Sequence, residues 1–476
     1  MDFAGYKKQK SHWAGTDTKA LSLPVSSKRS SKKLGGGQKM KSSMGAWSSA
    51  KPTYPLAKPE NSLSLGENAV PADSELLEPY FAKIREDRGS LILNVHLPFC
   101  PSRCFSCDRV AVVEHQPEAL ERYVTNLDRE LAIVADAVGT GRELARVHFG
   151  GGSPNHLSEL AIATIFSSVS RHFLVGNDTQ IAMELNPRRT SRAQLNFLKG
   201  LGIGHVKLEV RDVDATVQRE IGRVQSLELL EDVISIAHGV NFDSISMDYL
   251  IGLPGQTVES SEQSIQAMIS LDPDSLVCLP FHRRESAFPH QIAVDTHQLP
   301  SLADRLAMFN TVSEGLTSSG YDWVGLNLFA KPDNELAVAH REGDLSLNVL
   351  GYGTEAEASV IGIGLGALSE MSGLVVQNQV DPVLWHRAVE SSVVSAASAV
   401  FSDDNEILRR KVLRGLICRQ RIPAAQLTAS QREDWLTPLV GQGFAEETDG
   451  EYFLTEAGRS VLPHIWTDSS PAFRAV

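Results

Sequence analysis

Short apolar runs rich in β-branched residues alternate with amphipathic stretches over residues 75–330, and this alternation constrains the fold more than any other feature. The stretches 119–138 and 260–271 have the apolar spacing of helices. A repeated order of strand, helix and strand predicts a parallel sheet with helices outside it. Six or seven such units predict an α/β fold built as a partial (β/α)6-type parallel barrel. The predicted strands are LILNVHLP (91–98), RVHFGGG (146–152), IAMELNP (181–187), HVKLEV (205–210), SISMDYLIGLP (244–254), SLVCLPF (275–281) and WVGLNLF (323–329).

The unusual residues of this region lie where the predicted strands end. The segments HLPFC, GGGSP, ELNP, EVRD and FHRR each close one of these strands. Because parallel α/β folds carry their chemistry at the carboxyl ends of the strands, we expect one functional site at this edge of the sheet. His282, Arg283 and Arg284 in FHRR would give that site a basic cluster suited to an anionic substrate.

Beyond the alternating region, residues 331–395 are glycine-rich and mixed, and a separate small unit is predicted over residues 400–465. Helices followed by a hairpin predict a winged-helix-like α+β shape for this unit. Its predicted elements are helices around 403–418, 423–428 and 430–441, and a hairpin GFAEETDGEYFLT with Asp449-Gly450 as the turn.

The predicted hairpin is acidic, which bears on what the small unit can bind. It carries Glu446, Glu447, Asp449 and Glu451, and these carboxylates would repel phosphate. A packing or substrate-covering role is therefore expected rather than DNA binding.

The N-terminal residues differ in charge from the rest of the chain. Residues 1–60 carry 12 Lys and Arg against 3 Asp and Glu, whereas the remaining residues carry 33 against 55. The stretch SSKRSSKKLGGGQKMKSSMG has almost nothing to bury, so residues 1–70 are predicted to form a disordered basic tail. The acidic body disfavours broad nucleic-acid binding.

Composition excludes several classes of protein. The chain has no apolar run of about 18 residues, so no membrane span is expected. Its N-terminus lacks the apolar core of a secretory signal, and five cysteines in 476 residues exclude a disulfide scaffold. These features predict a cytoplasmic protein, which we expect to be a monomer.

Three of the cysteines, Cys100, Cys104 and Cys107, form the motif C-x3-C-x2-C. This spacing lets one loop wrap a single inorganic centre, and three thiolates suit an iron–sulfur cluster or zinc. A structural zinc site takes four ligands, and no fourth Cys or Cys-His pair lies nearby. Cys278 and Cys418 lie in distant apolar runs and are expected to be buried. His96 precedes the loop, either as a ligand or as a residue that orients it.

Three protein ligands to a four-iron cluster leave one iron open, and the C-x3-C-x2-C motif after the first strand resembles the signature of the radical S-adenosylmethionine (SAM) superfamily. The resemblance implies that SAM chelates the open iron through its amino and carboxylate groups. One electron from the cluster then breaks a carbon–sulfur bond of SAM and yields a 5′-deoxyadenosyl radical. It also implies that the glycine-rich segment GGGSP contacts the methionyl amino group.

Further segments over about residues 90–465 resemble the HemN family, whose enzyme is oxygen-independent coproporphyrinogen III oxidase. The resemblance implies a [4Fe-4S] cluster, two SAM molecules and a tetrapyrrole substrate. Two propionates of coproporphyrinogen III would each lose a β-hydrogen atom to the deoxyadenosyl radical and then carbon dioxide and one electron, giving the vinyl groups of protoporphyrinogen IX. A flavodoxin or ferredoxin would donate electrons. The resembling segments are NVHLPFCPSRC, VHFGGGSPNHLS, DATVQREIGRVQS, SMDYLIGLPGQT, FAKPDNELAVAHREG and GYGTEAE.

The resemblance also assigns residues of this chain to cofactors. Cys100, Cys104 and Cys107 would bind the cluster. The implied SAM-binding residues are Gly151, Glu184 and Leu368 for the cluster-bound molecule, and Gly152, Ser153, Arg223, Asp248 and His282 for the second molecule.

Ser153 stands where the family has Thr, a mild change that keeps the hydroxyl, and five other positions depart further from the family pattern. Asn94, Ser106 and Arg211 stand where the family has Tyr, an aromatic residue and Gln. All three are still predicted to bind SAM. Arg109 replaces a fourth cysteine, and Glu209 replaces a glycine. Three alternatives therefore stay open. The first is a paralogue acting on another tetrapyrrole, by methyl transfer or haem degradation. The second is a haem-binding or haem-delivery protein on the same fold, and the third is a degenerate chain whose cluster is structural.

Overall fold

The computed structural model describes residues 69–466, so the predicted tail over 1–70 lies outside the described residues except for its last two positions. Within this range, no helix is both long enough and apolar enough to cross a membrane.

The described residues form twenty strands. In chain order they are β1 (Val70–Pro71), β2 (Leu91–Leu97), β3 (Phe99–Cys100), β4 (Val112–Val113), β5 (Leu144–Gly151), β6 (Gln180–Leu185), β7 (His205–Arg211), β8 (Ser244–Ile251), β9 (Ser275–Pro280), β10 (Asp322–Val324), β11 (Leu328–Ala330), β12 (Ser346–Asn348), β13 (Gly351–Gly353), β14 (Ser359–Ile363), β15 (Leu368–Met371), β16 (Leu374–Asn378), β17 (Ala396–Phe401), β18 (Arg421–Pro423), β19 (Ala445–Thr448) and β20 (Glu451–Leu454).

The same range contains fourteen α-helices. They are α1 (Ser74–Asp87), α2 (Pro117–Val138), α3 (Glu159–His172), α4 (Arg192–Gly200), α5 (Ala215–Glu220), α6 (Leu227–Val240), α7 (Val258–Ser270), α8 (Leu302–Ser318), α9 (Glu335–Glu342), α10 (Pro382–Glu390), α11 (Asp404–Arg419), α12 (Ala429–Trp435), α13 (Thr437–Gly441) and α14 (Glu456–Trp466).

Most strands join one large sheet whose centre is parallel. The strands β14, β2, β5, β6, β7, β8 and β9 lie side by side in this order, and each pairs in parallel with the next. Antiparallel strands β15, β16, β17 and β1 continue the sheet at one edge, and β11 and β10 continue it at the other. The predicted α/β class with a parallel sheet is confirmed.

The prediction of a single strand over 323–329 is wrong. The chain instead turns back after β10, and β10 pairs antiparallel with β11. The turn contains Gly325, whose φ of +56° lies in the left-handed region that breaks a strand. A Cβ at Gly325 would lie 2.4 Å from the hydroxyl of Tyr352, so the turn also needs a residue without a side chain. The seventh parallel strand is β14, which comes from the glycine-rich extension.

The helices bury one face against the sheet, as their spacing predicts. Helix α2 begins with Pro117 in its first turn, and it buries Tyr123, Leu127, Leu131 and Val134 in the main core. Burying each such side chain contributes roughly 1.5–3 kcal/mol. This packing holds the strands in place. Polar residues can then be presented at the carboxyl ends of the strands.

The C-terminal unit has the predicted hairpin but differs in its helices. Asp449 and Gly450 both have positive φ, as a two-residue type I′ turn requires. The helix predicted over 423–428 is only a short 3-10 turn, and β18 before it pairs with β20 as a third strand. The helix predicted over 430–441 is interrupted between α12 and α13, where Pro438 lies in the first turn of α13.

Candidate active site

A cavity opens at the carboxyl ends of the parallel strands, where the sequence predicts the functional site. Thirteen of the fourteen predicted site residues line it, from Asn94 on β2 to His282 after β9 and Leu368 on β15. The exception is Asp248, whose side chain is wholly buried behind the cavity wall. The extension also reaches the cavity through Val349, Leu350 and other residues.

The three predicted cluster ligands lie together on the loop after β2. Cys100, Cys104 and Cys107 are free, partly buried, and all line the cavity. The hydroxyl of Ser153 donates to Cys100 Sγ at 3.8 Å, and Arg223 Nη1 donates to Cys104 Sγ at 3.5 Å. A guanidinium beside sulfur stabilises the thiolate, which is the form that binds metal.

Burial has the opposite effect on two of the thiols. It raises the pKa of Cys107 to about 12, and it also raises the pKa of Cys100. Without a bound metal, these two sulfurs are therefore protonated at neutral pH. A metal centre would deprotonate them on binding, so its uptake should release protons.

The sulfur arrangement distinguishes between the two centres that the motif allows. Nowhere in residues 69–466 do three His, Cys, Asp or Glu side chains converge as they would on one metal ion. Zinc therefore gains no support from the geometry. In a four-iron cluster each cysteine sulfur binds a different iron, so the three cysteines need only face a common space and do not converge on one ion. The residues present fit such a cluster.

His96 orients the cysteine loop. Its Nε2 donates at 2.8 Å to the carbonyl of Val110, which follows the three cysteines in the chain. Burial lowers the pKa of His96 to about 4, so the ring is neutral and keeps this hydrogen bond at neutral pH. The ring also packs against the next strand, because a Cβ at Gly151 would lie 2.7 Å from it.

The glycine-rich end of β5 is joined to the cysteine loop by the backbone. Gly152 N donates to the carbonyl of Leu97, and Ser153 N donates to the carbonyl of Phe99, each at 2.8 Å. A Cβ at Gly152 would lie 2.6 Å from the Pro98 carbonyl, which cannot move without moving the loop. The glycine is therefore required for the close approach of these two segments.

A network of charges fills the floor of the cavity, with Arg109 at its centre. Arg109 forms a close ion pair with Glu184, and its Nη1 lies 3.2 Å from Glu209 Oε1. It also donates to the Gly151 carbonyl at 3.4 Å. Lys207 Nζ lies 3.1 Å from Glu184 Oε1. Although burial alone would raise it, Arg109 and Lys207 hold the pKa of Glu184 well below its usual range.

Arg211 links the same network to Asp248. Its Nη2 lies 2.9 Å from Glu209 Oε1, and its Nη1 lies 2.9 Å from Asp248 Oδ2. Asp248 also accepts from the backbone N–H groups of Val210 and Arg211, at 2.8 and 3.1 Å. Arg211 has a φ of +73°, at an irregularity in the pairing of β7 with β8. The cavity therefore faces the Arg211 guanidinium, with Asp248 behind it.

The remaining predicted residues lie at the sides of the cavity. Asn94 Nδ2 donates to the Leu368 carbonyl at 3.0 Å, so these two predicted SAM contacts touch each other. Ser106 is buried beside the cysteines. Arg284 lines the cavity and pairs with Asp108 at 3.1 Å. Arg283 does not line the cavity.

Sequence reasoning missed several cavity residues. It named Arg109 only as the replacement of a cysteine, and it did not single out Lys207 or His148. A signal for Lys207 was present, because Lys207, Glu209 and Arg211 alternate along β7 and so share one face. Burial lowers the pKa of His148 to about 3, so this ring adds no charge to the cavity at neutral pH.

Comparisons with known proteins agree with this arrangement. The model of the radical SAM superfamily matches residues 94–268. The oxygen-independent coproporphyrinogen III oxidase of Escherichia coli K12 is 29% identical over 394 residues, covering 81% of this chain and 86% of that protein. The protein of the same name from Pseudomonas aeruginosa is 30% identical over 330 residues, covering 69% and 72%.

One solved structure extends the likeness to three dimensions. The structure of coproporphyrinogen III oxidase (HemN) from Escherichia coli, described as a radical SAM enzyme, superposes with a TM-score of 0.77 at 26% identity. The match covers 87% of this chain and 97% of that structure.

Proposed function

Because the chain belongs to the oxygen-independent coproporphyrinogen III oxidase family of radical SAM enzymes, we propose that it decarboxylates two propionates of coproporphyrinogen III to give protoporphyrinogen IX. The observation that carries this proposal is the set of three free cysteines facing one cavity beside the Gly151–Ser153 turn. A [4Fe-4S] cluster with bound SAM would supply the one-electron chemistry that starts hydrogen removal.

Cys100, Cys104 and Cys107 would hold the cluster. The hydrogen bonds from Ser153 and Arg223 support this assignment, since both donate to sulfur and so stabilise charged thiolates. These donors also draw negative charge away from the sulfurs, which favours the reduced state of the cluster.

The lining of the cavity contains the residues that the family resemblance assigns to two SAM molecules, Asp248 excepted. Gly151, Glu184, Leu368 and Asn94 would bind the cluster-bound molecule, and Glu184 would bind its ribose hydroxyls through carboxylate oxygens. The ion pair with Arg109 keeps that carboxylate charged and fixed in place. The second molecule would meet Gly152, Ser153, Ser106, Arg211, Arg223 and His282, with Asp248 holding Arg211 in position.

The charge of the cavity supports an anionic substrate. Its described lining contains six Arg and Lys side chains against three Asp and Glu. Arg103 donates only to the Ala111 carbonyl, at 2.6 Å, and no carboxylate within residues 69–466 pairs with it. Arg284 also lines the cavity and is paired with Asp108, which is half exposed. A guanidinium without a carboxylate partner, such as that of Arg103, can bind a propionate through two parallel hydrogen bonds.

An anaerobic assay tests the proposed reaction. Reconstituted protein is incubated with SAM, dithionite and coproporphyrinogen III, and the nucleoside and porphyrin products are analysed by mass spectrometry. We expect 5′-deoxyadenosine and a porphyrin product that has lost two carbon dioxide molecules and four hydrogen atoms, as conversion of two propionates to vinyl groups requires. The Cys104→Ser variant should yield neither product. Formation of 5′-deoxyadenosine with unchanged coproporphyrinogen would reject this substrate but keep the radical chemistry.

A second candidate is supported by the cavity floor. Arg109 stands where the family has a fourth cysteine, and Arg211 closes off Asp248 where the family has Gln. These changes alter the surface that faces substrate and favour a paralogue that acts on another tetrapyrrole, such as haem. Incubation with haem and methyl-labelled SAM should then give a labelled or opened porphyrin. Unchanged haem would exclude haem as the substrate.

We place this chemistry in the cytoplasm, with flavodoxin or ferredoxin as electron donor. The support is the chemistry of the thiols, because all five cysteines are free in the described structure and a reducing compartment keeps them so. The predicted monomeric state stays a prediction, which size-exclusion chromatography with light scattering can test.

A further inference from the structure

Two apolar side chains next to the cysteine loop face outward rather than into the cavity. Phe105 follows Cys104 and is 37% exposed, and Val224 follows Arg223 and is 60% exposed. Their neighbours Cys104 and Arg223 line the cavity, whereas Phe105 and Val224 do not. The chain therefore presents its ligand-binding side chains inward and its apolar side chains outward at the same two places.

These two places are in direct contact. Phe105 N donates to the Ile221 carbonyl at 2.8 Å, and a Cβ at Gly222 would lie 3.2 Å from the Phe105 ring. On the inner side, Arg223 Nη1 donates to Cys104 Sγ at 3.5 Å. The exposed apolar surface is thus separated from the Cys104 sulfur by a single layer of residues.

Three arginines without acidic partners in the described range are adjacent, by contact or in the chain, to the residues that carry this surface. Arg188 Nη2 lies 4.0 Å from Cys104 Sγ, and the exposed Arg189 follows it in the chain. The backbone N–H of Gly222 donates to the carbonyl of the exposed Arg219. The Arg219 side chain donates only to Thr216. Within residues 69–466, none of these three arginines forms an ion pair with a carboxylate. We call Phe105, Val224, Arg189 and Arg219 the outer patch.

We propose that the outer patch is the docking site for an acidic one-electron carrier protein. An apolar centre with a charged rim is the usual make-up of a protein interface, and electron-transfer contacts are small. The body of the chain is acidic outside residues 1–60, so an acidic carrier is repelled elsewhere and attracted here. Residues 1–60 are basic, like the patch, and are therefore disfavoured as its occupant.

The proposal rests on the proposed function, because it names the protein that supplies the cysteine-held cluster with electrons. In this step the carrier loses one electron and the cluster gains it, and no covalent bond changes. A small reductant such as dithionite needs no docking site. The two routes of reduction therefore separate a docking defect from a chemical one.

The test uses the cluster-loaded full chain with flavodoxin, and separately with a [2Fe-2S] ferredoxin, as the acidic carriers. Binding is measured by fluorescence anisotropy of labelled carrier at low and high salt. SAM cleavage is measured with NADPH, flavodoxin reductase and flavodoxin, and in parallel with dithionite. The variants are Arg189→Glu/Arg219→Glu and Val224→Ser. The charge-keeping control is Arg189→Lys/Arg219→Lys, and the distant control is Arg421→Glu, an exposed residue on β18.

We expect the double charge reversal to weaken carrier binding by about tenfold or more at low salt, with the difference shrinking at high salt. Val224→Ser should weaken binding at both salt concentrations. Both controls should stay within about twofold of the unaltered chain, and dithionite-driven cleavage should be unchanged in all variants.

Three results would overturn the proposal: equal binding by the double reversal, an equal loss of cleavage with dithionite, or no binding of either carrier to the unaltered chain. The last result would show that the patch does not bind an acidic carrier. If carriers bind as expected but dithionite gives no SAM cleavage, the proposed function fails and the docking site stands.

Discussion

At Arg109 a cation stands where the family pattern has a fourth cysteine, and its contacts determine the charge of the cavity floor. The guanidinium bridges Glu184 and Glu209, which come from neighbouring strands β6 and β7. Both carboxylates are buried. Since buried carboxylates need compensating charge, Arg109 stabilises the pair of strands as well as shaping the site.

The Arg109→Gln variant tests this role. It leaves Glu184 and Glu209 with fewer cationic partners, so the free energy of unfolding of the apoprotein should fall by roughly 2 kcal/mol or more. Urea titration measures the change. Arg284→Gln is the control, because its partner Asp108 is half exposed and the loss should stay below about 1 kcal/mol. Equal losses for both variants would contradict the account.

Glu130 is the second residue with a definite expected effect. It is buried on α2, where it accepts from Ser395, from Gly364 N and from the Trp385 indole. Burial raises its pKa to about 7. The folded state therefore binds its proton more tightly than the unfolded state. Its contribution to stability should fall as pH rises from about 4.5 to 7, by roughly 3 kcal/mol, and stay constant above.

Comparing Glu130→Gln with the unaltered chain isolates this titration. The difference in unfolding free energy between the two should change between pH 4.5 and 7 and then become constant. The exposed Glu228→Gln variant should show no comparable change over that range. A pH-independent difference for Glu130→Gln would show that the carboxyl titrates normally.

Sequence reasoning found site residues that are close together in the chain, and it missed residues whose partners are far away in the chain. Cys100, Cys104 and Cys107 are close in sequence, so their spacing alone places them on one loop. Arg109 binds partners 75 and 100 positions further along the chain. No local pattern encodes such a contact, because it depends on which strands become neighbours in the sheet.

Among the elements, the end of β5 is the most tightly constrained part of the site. Gly152→Ala would place a Cβ 2.6 Å from the Pro98 backbone and so push the cysteine loop away from β5. We expect the iron content after reconstitution to fall by more than about half, with a loss of stability on the order of 2 kcal/mol. Iron and sulfide analysis measures the first effect, and thermal unfolding measures the second.

Gly239→Ala is the matched control for this element. Gly239 lies in α6 with nothing near its Cβ position, so alanine there should be neutral or stabilising by about 0.5–1 kcal/mol. Normal iron content in Gly152→Ala would show that the loop tolerates the shift and that the close approach is not needed for the cluster.

The strands show where sequence patterns suffice at the scale of elements. The six predicted strands from 91–98 to 275–281 are present with shifts of a few residues, because runs of buried residues mark them. The hairpin β10–β11 was missed because Gly325 interrupts a run that is apolar on both sides. The role of β14 as a parallel neighbour of β2 follows from pairing over a distance of more than 250 residues.

At the scale of the whole molecule, residues after the parallel strands complete the site. The extension supplies β14 to the sheet and Leu368 to the cavity. The C-terminal unit shares a core with β10–β13, and Arg459 in α14 stacks over the Trp323 ring at 4.0 Å. Helix α14 was not predicted, although its apolar residues recur at helical spacing.

The central claim is that three cysteines hold a four-iron cluster with one iron free for SAM. Mössbauer spectroscopy of protein reconstituted anaerobically with iron-57 tests it directly, before and after addition of SAM. The account predicts about four irons per chain, one of which changes its isomer shift when SAM binds. A preparation without iron, or four irons that all ignore SAM, would contradict the claim.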